Sequence, residues 1–279
     1  MPTVTLTGEG IRAEIVPEEG ARVQHLVDLE SGRELLYQGK SPVPAPRPEF
    51  LDGCPGGWDA IFPNDAPSGD YPDHGLVWKT PFEVVSADER EAVLRATLEQ
   101  PPVEIEQRFS VLGDGRRGLR VETRMRAAGD TGPFFWCSHP MLAVADGWRI
   151  ELPAGRARAD AEVPGRFGAG EDLGERREID VLPSSDEAFE VLFVEGASEA
   201  AVGAADGGPR TRVAWDDSFF RHLWIVSIAN AAGIDHVVQL EPSSSHIYLL
   251  DAAVEKGTAV SLEGGTERGW WVEIESQDG

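Results

Sequence analysis

Cysteine is almost missing: Cys54 and Cys137 stand far apart and in no CxxC pattern. That excludes a disulfide framework and a zinc knuckle, and it predicts two reduced, half-buried thiols. Lysine is confined to Lys40, Lys79 and Lys256, with arginine supplying the remaining positive charge. No basic patch offsets the formal net charge of −24, so nucleic acid and anionic membranes are disfavoured as partners and a neutral or cationic small molecule fits better. The start lacks the basic and apolar regions of a signal peptide, and no run approaches the roughly 18 apolar residues of a membrane helix. A cytoplasmic location and no membrane association are the expectation. Helical periodicity is also wanting: no window longer than about ten residues keeps a 3.6-residue repeat.

What is present is alternation. In GLRVETRMRA, Leu119, Val121 and Met125 alternate with Arg120, Glu122, Arg124 and Arg126, the mark of a half-buried strand. Ala92, Leu94, Ala96 and Leu98 form one face of another strand, and Val103, Ile105 and Phe109 one face of a third. Joined by Gln100-Pro101-Pro102 and Gly113-Asp114-Gly115, the three predict an antiparallel meander. Further strands are expected at 11–16, 23–29, 81–86, 134–144, 189–194, 222–229, 236–241, 246–250, 258–263 and 270–275. The proline-rich run 42–50 is expected to be a surface loop, and 153–188 and 195–210 long exposed connections. With 31 Gly and 20 Pro marking many turns, the chain reads as all-β, one antiparallel β-sandwich domain over residues 1–279 with few, short helices.

Three segments combine turn residues, aromatics and an ionisable group, as sugar sites do. In the first, 53–84, Trp58, Phe62, Tyr71 and Trp78 offer flat apolar faces, while Asn64, Asp65, Asp73 and His74 offer hydrogen bonds to hydroxyls. In the second, His139 precedes Pro140 at the end of an apolar strand. In the third, Glu241 shares a strand face with Gln239, and a carboxylate that interrupts an apolar strand must be paired or functional. His222, His236 and His246 fall in the last quarter without H-x-H or H-E-x-x-H spacing, so packing roles and no metal are expected of them.

The order of these segments resembles the aldose 1-epimerase (galactose mutarotase) family. EIVPEEGARVQHLVDLESGRELLY is similar to that family's first hairpin. FPND followed by His74-Gly75 resembles its asparagine loop and histidine-glycine motif. SHP at 138–140 resembles its Asn-His-Pro strand, LEP at 240–242 its glutamate motif and GGTERGWWVEIE its closing strand. The resemblance implies a galactose-mutarotase-like β-supersandwich that interconverts the α and β anomers of a free sugar without a cofactor. Glu241 would take the proton of the anomeric hydroxyl, His139 would protonate the ring oxygen and His74 would orient the sugar. Where that family carries arginines, this chain has Asp65 and Trp78, which implies altered hydroxyl recognition and disfavours phosphorylated sugars. For the family's substrate-binding aspartate, Asp216 and Asp217 are candidates by position. A non-catalytic sugar-binding protein on the same scaffold is the alternative, and monomer and homodimer are both compatible with the sequence.

Overall fold

The computed structural model describes residues 2–39, 50 and 54–278. Of the proline-rich run 42–50, only Phe50 lies within the described residues.

In chain order the strands begin with β1 (Val4–Gly8), β2 (Ile11–Val16), β3 (Arg22–Asp28), β4 (Arg33–Glu34), β5 (Trp58–Ile61), β6 (Glu83–Ala87) and β7 (Glu91–Leu98). They continue with β8 (Val103–Val111), β9 (Arg117–Ala127), β10 (Cys137–Ala143), β11 (Trp148–Glu151), β12 (Arg156–Ala159), β13 (Asp172–Gly174) and β14 (Glu178–Asp180). The last are β15 (Ala188–Glu195), β16 (Glu199–Ala204), β17 (Arg210–Trp215), β18 (His222–Ala231), β19 (Ile234–Ser243) and β20 (Glu267–Gln277), with one helix, α1 (Leu250–Glu255), before β20. An 11-stranded sheet runs β1-β2-β3-β5-β10-β19-β18-β15-β12-β13 with β4 beside β3. A nine-stranded sheet runs β14-β11-β16-β17-β20-β9-β8-β7-β6.

Side-chain alternation builds the core between them. On β9, Leu119, Val121 and Met125 point inward. The outward residues pair across strands, as in Arg95–Glu106 at 2.7 Å and Arg108–Glu91 at 2.8 Å. Such surface pairs contribute only about 0.2–1 kcal/mol each, whereas each fully buried Leu or Ile contributes roughly 1.5–3 kcal/mol. The expected meander of 91–127 is therefore held by its apolar face.

Strands β10, β18 and β19 lie mid-sheet and are covered on both faces, so they read as near-continuous apolar runs. One face, with Leu142, Leu223, Ile225, Val238 and Leu240, joins the core between the sheets. The other face, with Met141, Trp224, Val226, Gln239 and Glu241, lines a cavity on the far side.

Some expectations required correction. Residues 246–250 are not a strand: the Ser245 hydroxyl accepts from the Ile247 N–H at 3.0 Å and turns the chain, which then enters α1. Residues 258–263 make only an isolated bridge, Val260 to Phe134. The connection 153–188 holds β12, β13 and β14, and 195–210 holds β16, whose Ala200–Gly203 are buried. Alanine and glycine give no β-branched signal, so β16 is invisible to a propensity reading.

Candidate functional site

Three adjacent strands bring the central side chains together. His139 of β10 sits opposite Asp59 of β5 in register, and β19 on the other side carries Gln239 and Glu241. His139 Nδ1 lies 2.8 Å from Asp59 Oδ1. Its Nε2 lies 2.7 Å from the Gln239 side-chain amide and 3.7 Å from Glu241 Oε1. As the amide is oriented, a neutral ring keeps its proton on Nδ1 and accepts from Gln239; turning the amide over lets a protonated ring donate to its oxygen. The buried Cys137 thiol donates to Glu241 Oε2 at 3.5 Å.

His74 reaches the same space from the loop after β5. The loop is pinned by Asn64, whose amide donates to the Ala66 and Pro72 carbonyls at 2.8 Å each. His74 itself adopts φ 57° and Gly75 φ 66°. A Cβ on Gly75 would lie 2.1 Å from the Phe62 carbonyl oxygen, so only glycine lets the two backbones approach here. Asp73 accepts from His74 Nδ1 at 2.9 Å, Asp65 lies 3.5 Å from His74 Nε2, and Phe50 stacks on the His74 ring at 3.8 Å. The His74 and His139 rings meet edge to face at 5.7 Å.

Burial governs the electrostatics. It raises Glu241 to about 7, with His139 pulling the other way and Asp65 adding to the rise. For His139 burial opposes the charged ring, yet Glu241, Asp59 and Asp65 outweigh it and lift the group to about 9. Asp65 is likewise raised by burial. The surroundings thus favour the charged form of the imidazole and raise the neighbouring carboxyl toward neutrality, an arrangement suited to an acid beside a base.

The cavity encloses about 260 Å³, close to the lower end of the ~300–1,000 Å³ usual for small-molecule sites. Its polar end is Asp65, His74, His139, Gln239 and Glu241, and its walls are largely apolar, including Phe193, Trp224 and Ile228. Among the described residues no arginine or lysine lines it.

Of the residues singled out from sequence, Glu241, His139, His74, Asp65 and Gln239 converge on this cavity. Trp58 and Trp78 do not: Trp58 donates to Ser138 Oγ at 2.8 Å and Trp78 to the Gly75 carbonyl at 3.0 Å, both buried in the packing. Asn64 and Asp73 stand behind the cavity wall, one holding the loop and the other holding His74. Asp216 is spent on a turn, accepting from the Ser218 N–H and hydroxyl. The carboxylate between His139 and Glu241 in sequence that does reach the cavity is Asp160. Asp59 was missed although the signal was present, since it interrupts the apolar run Trp58-Asp59-Ala60-Ile61-Phe62 as Glu241 interrupts its own strand. Phe50, Phe189, Phe193, Trp224 and Tyr248 complete the described aromatic lining and carried no distinguishing pattern.

No family model matches this chain, and no curated protein does. Solved structures do. The Slr1438 protein of Synechocystis sp. PCC 6803 superposes with a TM-score of 0.74 at 18% identity, covering 100% of this chain and 96% of that one. A galactose mutarotase-like protein from Lactobacillus casei ATCC 334 gives 0.74 at 16% identity, covering 99% and 100%. An aldose epimerase homologue from C. elegans gives 0.68 at 12%, covering 99% of each chain. With two antiparallel sheets in this order and full-length superposition on these structures, the chain has the galactose mutarotase-like fold.

Proposed function

We propose that this chain is an isomerase of the aldose 1-epimerase type, interconverting the α and β anomers of a free, non-phosphorylated sugar. The observation that carries the reading is the buried pair His139–Glu241, 3.7 Å apart at the polar end of the cavity. The anomeric hydroxyl and the ring oxygen of an aldose are bonded to the same carbon, so a base for one and an acid for the other must stand side by side, as these two groups do. Glu241, ionised, takes the proton from the anomeric hydroxyl. His139, protonated, gives a proton to the ring oxygen as the C1–O bond breaks. The open aldehyde turns about C1–C2, and reversal of both transfers closes the ring on its other face with no net proton change. No step requires a cofactor. Asp59 keeps the His139 ring oriented, while His74, itself held by Asp73, offers a hydrogen bond to a sugar hydroxyl. A positioned acid and base contribute about 10²–10⁴ in rate each.

Three carboxylates in the lining, Asp65, Asp160 and Glu241, with no arginine or lysine among the described lining residues, support a non-phosphorylated substrate. The apolar walls favour a second reading, a sugar-binding protein that does not turn over. Polarimetry of freshly dissolved α-glucose, α-galactose and a panel of uncharged sugars at neutral pH separates the two. Faster approach to anomeric equilibrium supports the isomerase; sugar binding by calorimetry with no acceleration supports the binding protein.

A further inference from the structure

The cavity face of the large sheet carries a second group of side chains that this reading leaves unused. His222 opens β18 and pairs in register with Glu195 at the end of β15, one alternate position beyond Trp224 and Phe193 of the cavity wall. Alternation places Glu195 and His222 on the same face as those two rings. His246 arrives from the turn after β19, its ring centroid 4.8 Å from that of His222. That turn is firmly held: the Trp224 indole donates to the Ser245 carbonyl at 2.7 Å, and the Ser245 hydroxyl pairs with Thr258 at 2.9 Å.

Two independent observations point to a ligand. One ligating atom from each of Glu195, His222 and His246 lies within 4.8 Å of the others. The Nδ1 atoms of both histidines are buried without a hydrogen-bond partner, the Glu195 carboxylate lying 3.7 Å from His222 Nδ1. A buried polar atom without a hydrogen bond is destabilising, and coordination removes that penalty. We propose that Glu195, His222 and His246 form a binding site for a divalent transition-metal ion of the zinc class, with a fourth position open to water.

The donor set selects the ion. Two imidazole nitrogens and one carboxylate suit Zn²⁺, Co²⁺, Ni²⁺ or Cu²⁺ rather than Mg²⁺ or Ca²⁺. Metal–ligand bonds of about 2.0–2.2 Å in a tetrahedron set ligand atoms about 3.4 Å apart, so the group must close slightly. The exposed Glu195 side chain supplies that movement. Arg221 opposes the incoming cation, which makes the Glu195 charge necessary. The ion would fasten the turn that bears Tyr248, a cavity-wall residue, to β15 and β18.

The test is calorimetric titration of ZnCl₂ into untagged, full-length protein stripped by a chelator, with Co²⁺ absorption as a second readout. One saturable equivalent is expected, with the intense visible bands of four-coordinate Co²⁺ and a raised Tm. His246→Asn and His222→Asn should each weaken Zn²⁺ binding about tenfold or more, while His139→Asn should bind it as the parent does. His246→Asn alters only the turn, so it carries the test if His222→Asn fails to fold. No saturable binding, binding indifferent to both substitutions, or binding lost instead in His139→Asn would overturn the proposal.

Discussion

His139 has more partners than a packing histidine needs. Asp59 fixes one ring nitrogen, Gln239 and Glu241 face the other, and burial intensifies each contact. The signs of the two shifts define a pH window. In the proposed reaction Glu241 must be ionised to accept a proton, so with its raised pKa activity should fall as pH drops through about 7. His139 must be protonated to donate, so activity falls as pH rises through about 9. A bell-shaped kcat/KM profile between those limbs is expected. Asp59→Asn removes one of the carboxylates that raise His139, so the alkaline limb should move to lower pH and kcat should drop while the chain stays folded. An alkaline limb that stays in place would deny Asp59 this positioning role.

The loop after β5 presents His74 through a backbone conformation that only a few residues tolerate. Gly75→Ala forces a Cβ against the Phe62 carbonyl at positive φ, and it should cost about 2–4 kcal/mol, read as a lowered midpoint in denaturant unfolding. An unchanged midpoint would mean the loop is not held by that close approach. The alternating strands β7, β8 and β9 were legible because one face is wet. β10, β18 and β19 were legible as apolar runs. What escaped was set by tertiary context: β16 is built from small residues, and 246–250 was turned away from strand by the Ser245 hydroxyl. The same holds for the site. Glu241 stood out as a charge inside an apolar strand, and Asp59 met that criterion equally. Trp58 and Trp78 misled because aromatic density near a polar loop marks cores as often as ligand faces.

At the scale of the whole molecule, 49 acidic residues face 25 basic ones. The exposed cross-strand Arg–Glu pairs on the nine-stranded sheet, Arg95–Glu106 and Arg108–Glu91, are local attractions within a field of excess negative charge. Raising NaCl from about 10 mM to about 1 M shortens the screening length from ~30 Å to ~3 Å. The repulsion of the excess charge is long-ranged and exceeds what those exposed pairs contribute, so Tm should rise with salt. A falling Tm would assign the larger share to the pairs. The fold alone does not dictate chemistry, and the proposed reaction rests on the His139–Glu241 pair. The decisive measurement is magnetisation transfer between the α and β anomeric protons of a sugar at equilibrium, with wild-type protein and with Glu241→Gln at equal concentration. Exchange accelerated by the wild type and reduced by about 10² or more in the variant, with sugar binding and Tm retained, is the predicted result. Equal exchange with both proteins would contradict the assignment of Glu241 as the base.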